Sequence, residues 1–257
     1  MKGFLLTDHK AKIRYHDLLG DGPPILFLHG LGCSSSFDYP QVAAFRELQQ
    51  HRRILVDLLG SGYSDSPENF SYSMAAHASC LEQLIEHMGL DNFYLYGHSM
   101  GGAIAISLAG KCEQRLSGLV LSEANLDSGG GLFSRRIAGH EEGGYLESGH
   151  QTMIRNARAS ACEEWAVGLE ASSPVAVYRE SKSLVDGEAR SWRQILYSLN
   201  IPRTFIFGQK SLPDPEESRL KANGINIEIV DNAGHSMAWD NPAGLATAIQ
   251  RGIHFAG

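Results

Sequence analysis

The sequence predicts an α/β architecture, a mostly parallel sheet with helices packed on both faces. Three observations carry that expectation. Strand-like and helix-like segments alternate along most of the 257 residues. Two short runs, Ile25-Leu26-Phe27-Leu28 and Arg53-Ile54-Leu55-Val56, are almost continuously apolar, as in strands buried on both sides. A Gly-x-Ser-x-Gly pentapeptide, Gly97-His98-Ser99-Met100-Gly101, lies between an aromatic strand-like run and an alanine-rich helix-like run.

In chain order, residues 3–7 and 11–17 read as two strands joined by a turn. Gly20-Asp21-Gly22-Pro23-Pro24 is a loop signal, and the Ile25–Leu28 strand follows it. Residues 39–50 read as helical, and Arg53–Val56 is a strand that ends at Asp57. Residues 72–88 carry a helical apolar pattern capped by Gly89. Asn92–Tyr96 is the strand before the pentapeptide. Gly102–Ala109 is the helix after it, expected to stop at Gly110, and Leu119–Leu121 is one more strand. Composition shifts after residue 123, where Gly129, Gly130 and Gly131 open a stretch of polar, helix-like segments containing Trp165 and Trp192. Strand character returns at Arg203–Phe207 and again at Ile225–Val230, and a last helix covers about 242–252. The expected organisation is a single domain over 1–257, with a core of 1–123 and 196–257 and a helical insertion over about 124–195.

Composition narrows the class of function. A hydrophobic content of 43% with 20% charged residues is that of a globular protein. The net charge of −7 argues against nucleic acid as a partner, because phosphate binding needs a basic face. No apolar run reaches the ~20 residues of a membrane helix, and the first residues have too short an apolar stretch for a signal peptide. Cys33, Cys80, Cys112 and Cys162 show neither pairing nor metal-ligand spacing. They are expected to be small buried hydrophobes in a reducing compartment, with the cytoplasm as the default location. Neither a metal nor an organic cofactor is called for, and the expected partner is a small-molecule substrate.

The pentapeptide alone is weak, since a chain with 28 glycines yields roughly 0.3 such matches by chance. Its flanks give it meaning. A strand–turn–helix corner strains the serine backbone and lifts its hydroxyl above the sheet edge. A serine hydroxyl still needs an adjacent base, and the base needs a third group to orient it. Among 11 histidines, His235 stands out, in a glycine-containing loop just after the last expected strand. That is the carboxyl edge of the sheet, where ligands of open α/β folds bind. His29-Gly30-Leu31-Gly32 also follows a strand at that edge. It is either a plain glycine-rich turn or an oxyanion site in which the Leu31 and Met100 N–H groups face one developing charge, with His29 fixing the loop.

Taken together, His29–Gly32, Asp57-Leu58-Leu59-Gly60-Ser61-Gly62-Tyr63-Ser64-Asp65, the pentapeptide and Gly234-His235 resemble the α/β-hydrolase superfamily, in that family's order and over nearly the whole chain. The resemblance implies an eight-stranded sheet, a helical cap inserted after the sixth strand (the block at 124–195), and a serine–histidine–acid triad. It also implies a structural role for the Asp57–Asp65 stretch. In most of the family the acid follows the seventh strand, about three residues beyond a glycine. Here that position is Ser211, and Asp214 lies three residues further on. Glu123 is the rival, 24 residues after Ser99 and directly behind Leu119–Leu121, where some family members, certain haloalkane dehalogenases among them, carry their acid. An unpartnered carboxylate at that buried edge would be costly. Glu123 is therefore chosen as the acid, Asp214 is the runner-up and Asp127 the third candidate.

The expected chemistry is acyl transfer to water on an ester, with Ser99, His235 and Glu123 as triad and Leu31 and Met100 as oxyanion donors. A serine at the elbow, where the family's dehalogenases and epoxide hydrolases use aspartate, argues against those two reactions. Carbon–carbon bond hydrolysis, thioester hydrolysis and perhydrolysis remain as alternatives. So does a lyase that holds anionic substrates with Arg135, Arg136, Arg155 and Arg158, or a ligand-binding protein without catalysis. Trp165, Tyr145, Phe133 and Met153 are candidates to line a pocket, or to pack within the cap.

Overall fold

The structure, a computed structural model, describes residues 1–255. Eight strands form one sheet: β1 (Lys2–Leu6), β2 (Ala11–Leu18), β3 (Gly22–Leu28), β4 (His51–Asp57), β5 (Phe93–His98), β6 (Leu116–Ser122), β7 (Arg203–Gly208) and β8 (Asn226–Val230). Their spatial order is β1-β2-β4-β3-β5-β6-β7-β8. β1 pairs antiparallel with β2, and β2 with β4. All other neighbours are parallel, so the sheet is mostly parallel as expected.

The apolar runs explain the layering. Along β3, Ile25 and Phe27 join the core on one face with Tyr39, Leu55 and Tyr96. Leu26 and Leu28 join the core on the other face with Ile54, Val56 and Leu95. A strand whose two faces are both covered has no place for polar alternation. The helix Met74–Met88 covers the second face, with the Ser73 hydroxyl accepting the Ala76 N–H at 3.2 Å and Gly89 at φ +59° ending it. The helix Met100–Cys112 lies beside it, and Pro242–His254 covers the first face. Among the described residues, no helix is long and apolar enough to cross a membrane.

Several expected boundaries shift. The helix after the pentapeptide does not stop at Gly110 but runs to Cys112; Gly110 faces the Ile195 side chain and no turn forms there. The segment expected to be helical over 39–50 is broken: Pro40–Ala44 is helical, Phe45 is extended, and Arg46–Leu48 is one tight turn.

Between β6 and β7 lie the helices Leu132–Ala138, His150–Ala159, Glu163–Glu170, Pro174–Asp186 and Trp192–Ser198. The first four share a small core of Ile137, Tyr145, Met153, Leu169 and Val177. The last one does not. Trp192 is fully buried against the Met100–Cys112 helix and donates its indole N–H to Ser107 Oγ at 3.1 Å. The boundary expected at 195 therefore falls inside a helix that packs on the sheet layers. The block is tied down by Trp165 Nε1 on the Leu31 carbonyl (2.8 Å) and by Ser173 N–H on the Gly60 carbonyl (2.7 Å). A fully buried contact at 3.1 Å, between Glu180 of the block and His77 of the sheet layer, adds to these. Removing either partner would leave the other buried without it, at a typical cost of ~1–3 kcal/mol.

Candidate active site

The loops that leave the carboxyl ends of β3, β5, β6 and β8 converge on one cavity, and the end of β7 meets Glu123 behind it. Ser99 sits between β5 and the Met100–Cys112 helix at φ +52°, ψ −117°, a conformation disfavoured for any residue with a Cβ. The corner closes because its flanking residues have no side chain. A Cβ on Gly97 would come within 2.5 Å of the Gly101 carbonyl oxygen, and one on Gly101 within 2.4 Å of the Leu28 and His29 oxygens. Ser99 N–H is held by the Ser122 carbonyl (2.9 Å), and the Ser99 carbonyl accepts from Asn125 N–H at 3.2 Å. Backbone strain is thus held in place by β6.

His235, five residues beyond β8, reaches Ser99 Oγ with Nε2 at 3.2 Å. Its Nδ1 lies 2.6 Å from Glu123 Oε2. Glu123 begins the loop after β6, also at positive φ (+39°), with its N–H on the Ile206 carbonyl (3.1 Å). Its carboxylate accepts the Gly208 N–H at 3.0 Å and hydrogen-bonds the Ser211 hydroxyl. Burial pushes the Glu123 carboxyl up. His235, Ser211 and the Gly208 N–H outweigh that and hold it at about 2. The carboxylate therefore stays ionised, accepts from Nδ1–H, and leaves Nε2 free to accept the serine proton.

Of the three acid candidates, only Glu123 meets His235. Asp214 turns away to cap the helix Pro215–Ala222, accepting the Glu216 N–H at 2.8 Å. Asp127 pairs with Arg193 at 2.6 Å. Ser211, at the position where a family acid would follow β7, hydrogen-bonds the carboxylate that comes instead from β6.

Leu31 follows β3 and lines the cavity beside Ser99. Met100 opens the helix behind Ser99, where backbone N–H groups lack intrahelical acceptors. His29 is buried; burial lowers its ring to about 4, so it is neutral. Its Nδ1 is 2.9 Å from the Gly30 carbonyl, and its Nε2 accepts the Leu58 N–H at 3.0 Å. The ring thereby ties the Leu31 loop to the loop after β4. Asp57 accepts from Ser36 N–H, Ser36 Oγ and Tyr63 N–H at 2.9, 2.8 and 3.0 Å, which knits the neighbouring loops together.

The cavity measures about 600 Å³, within the usual range for small-molecule sites. Phe133 and Trp165 line it, with ring centroids 4.2 Å apart. Tyr145 and Met153 do not; they are buried in the core of the helical block. Cys33 and Cys162 are half-buried residues of the cavity wall, contrary to the expectation for all four cysteines, while Cys80 and Cys112 are buried. All four thiols are free.

Three residues escape a reading of the sequence. His98 packs its ring 4.7 Å from that of His235, and burial, then the charge of His235, lowers it to about 3. It is a neutral neighbour, with Nδ1 3.0 Å from Ser122 Oγ. Ser211 stands where the family pattern puts an acid, and nothing in the sequence marks it as the partner of one. Asp38 lines the cavity with Oδ1 on the Trp239 indole N–H at 3.1 Å, and burial raises its carboxyl to about 7. Its signal was an acidic residue shortly after the Gly30–Gly32 turn, too common to single out. Among the described residues, no group of three or more His, Cys, Asp or Glu side chains is placed to hold a metal ion.

Residues 23–167 match the family model described as alpha/beta hydrolase fold. The chain is similar to the mesoderm-specific transcript protein of Mus musculus, 35% identical over 136 residues, covering 51% of this chain and 40% of that protein. It is also similar to haloalkane dehalogenase 2 of Mycobacterium tuberculosis, 34% identical over 112 residues, covering 44% of this chain and 38% of that one. The matched segment thus spans about two fifths of these relatives. Among solved structures, an esterase from Exiguobacterium antarcticum superposes with a TM-score of 0.81 at 21% identity, covering 99% of both chains.

Proposed function

The chain belongs to the alpha/beta hydrolase fold family, and we propose that it is a serine hydrolase that cleaves an ester bond of a small molecule through an acyl-enzyme. The observation that carries this reading is the unbroken relay Ser99–His235–Glu123, at 3.2 and 2.6 Å. Ser99 Oγ attacks the ester carbonyl while His235 Nε2 takes its proton. The imidazolium is stabilised by the ionised Glu123. The Leu31 and Met100 N–H groups receive the oxyanion, each such donor lowering the barrier by about 3 kcal/mol. His235 then protonates the departing alkoxide and activates water for deacylation. Its side chain is 53% exposed, so water reaches it directly.

The lyase alternative drew on arginines in the helical block. None of Arg135, Arg136, Arg155 or Arg158 lines the cavity. Arg135 donates to the Gly130 carbonyl, and Arg158 pairs with Glu163 and Glu170. This favours the hydrolytic reading over anion capture. The test is hydrolysis of p-nitrophenyl butyrate by wild type and Ser99→Ala. The variant is expected to fold and to lose turnover by at least ~10³-fold; an undiminished rate would overturn the proposal.

A further inference from the structure

The cavity over Ser99 has an unequal balance of charge. Asp38, Glu123, Glu164 and Asp240 line it, and no lysine or arginine does. Glu123 is matched by His235. The other three form no ion pair with any described residue. Two of those have a structural explanation. Asp240 accepts the Gly234 N–H at 2.7 Å and so shapes the His235 loop. Glu164 stands in the first turn of the Glu163–Glu170 helix, where the backbone dipole favours an acid.

Asp38 has neither explanation. It is the fourth and last residue of the single-turn helix Ser35–Asp38, which is too short to offer the dipole that a longer helix gives Glu164. Its polar neighbours are the Trp239 indole and the Cys33 thiol, both uncharged donors. A carboxylate drawn out of water without a cation is costly, and the fold supplies no cationic partner. Much of the remaining lining is apolar or aromatic, with Phe133, Trp165 and Trp239 on the same cavity. A carboxylate among aromatic rings accommodates an ammonium group. A ligand carboxylate would instead meet like charge in a partly desolvated space.

We infer that the cavity selects its ester by charge, preferring a substrate that carries an ammonium group over an uncharged one of the same shape and rejecting one that carries a carboxylate, with Asp38 as the specificity-determining residue. The inference rests on the hydrolase reading of Ser99 and adds the substrate class.

Three p-nitrophenyl esters of one acyl length test it, ending in trimethylammonium, tert-butyl or carboxylate. Wild type is expected to rank them in that order by kcat/KM at pH 8, with at least about a tenfold span between cation and anion. Asp38→Asn is expected to compress the span to about threefold, and Asp38→Ser is a second neutral replacement should the first not fold. An anionic ester cleaved as fast as the neutral one, or a span unchanged in both variants, overturns the inference and leaves the hydrolase reading standing. Failure of the hydrolase reading looks different: no ester turns over and a fluorophosphonate leaves Ser99 unlabelled. In that event the ranking is read from calorimetric binding of the three esters to wild type. The same order supports charge selection, and no order or an inverted one overturns it.

Discussion

Two carboxylates on the wall of one cavity have opposite fates. Glu123 and Asp38 are both drawn out of water, and burial pushes both upward. Glu123 nevertheless ends at about 2, because His235, Ser211 and the Gly208 N–H all stabilise its ionised form. Asp38 ends at about 7, because the Trp239 and Cys33 donors do not offset burial and the nearby Asp57 and Glu164 charges add to it. Partners, not depth, decide what a buried acid does. One region is finished by the fold, and the other is left for a ligand to finish.

The largest effect belongs to the finished region. Glu123→Gln keeps the side chain's shape but removes the charge that orients and stabilises His235, so kcat/KM should fall by about 10³–10⁴-fold. Steady-state hydrolysis of p-nitrophenyl butyrate checks this. A loss below about tenfold would erase the contrast between the two acids.

Next comes Asp38, read through stability. Its folded value of about 7 lies above its ordinary 3.8. Between those pH values the folded chain holds a proton that the unfolded chain has lost, so stability falls as pH rises. Below about pH 4 both states are protonated and no difference remains; above pH 7 the full penalty is present. Asp38→Asn removes the penalty and should stabilise the protein by about 1–3 kcal/mol at pH 8 and hardly at all at pH 4. Denaturant unfolding at the two pH values measures it. Equal effects at both, or destabilisation at pH 8, would show that Asp38 is already satisfied.

The smallest effect sharpens the description of Glu123. Ser211→Ala removes one of its hydrogen-bond partners and should lower kcat by about tenfold with little change in KM. Ser211→Thr, which keeps the hydroxyl, should restore most of it.

The two regions also differ in how far the sequence reveals them. The proposed pair Ser99 and His235 was legible because the chemistry we propose needs local features, a strained glycine-flanked corner and a loop after the last strand. Glu123 was legible from its place directly behind an apolar run, where a lone carboxylate would be costly. The eight-strand sheet followed from apolar runs buried on two faces. Asp38 was not legible, because its meaning comes from Trp239 and Cys33, which chain folding brings to it and no spacing announces. Ser211 looked like the loss of an acid, and only the approach of β6 to β7 makes it a partner of one. The helix that runs past Gly110 and the break at Phe45 escaped for a related reason: tertiary packing overrode the local signal.

The central claim is that the acid behind His235 comes from β6, and the rate at which a fluorophosphonate modifies Ser99 tests it most directly. That rate reports activation of the nucleophile and needs no natural substrate. Mass spectrometry should find wild type and Asp214→Asn modified at Ser99 at the same rate, and Glu123→Gln modified about 10³-fold more slowly. Slow modification of Asp214→Asn together with fast modification of Glu123→Gln would contradict it.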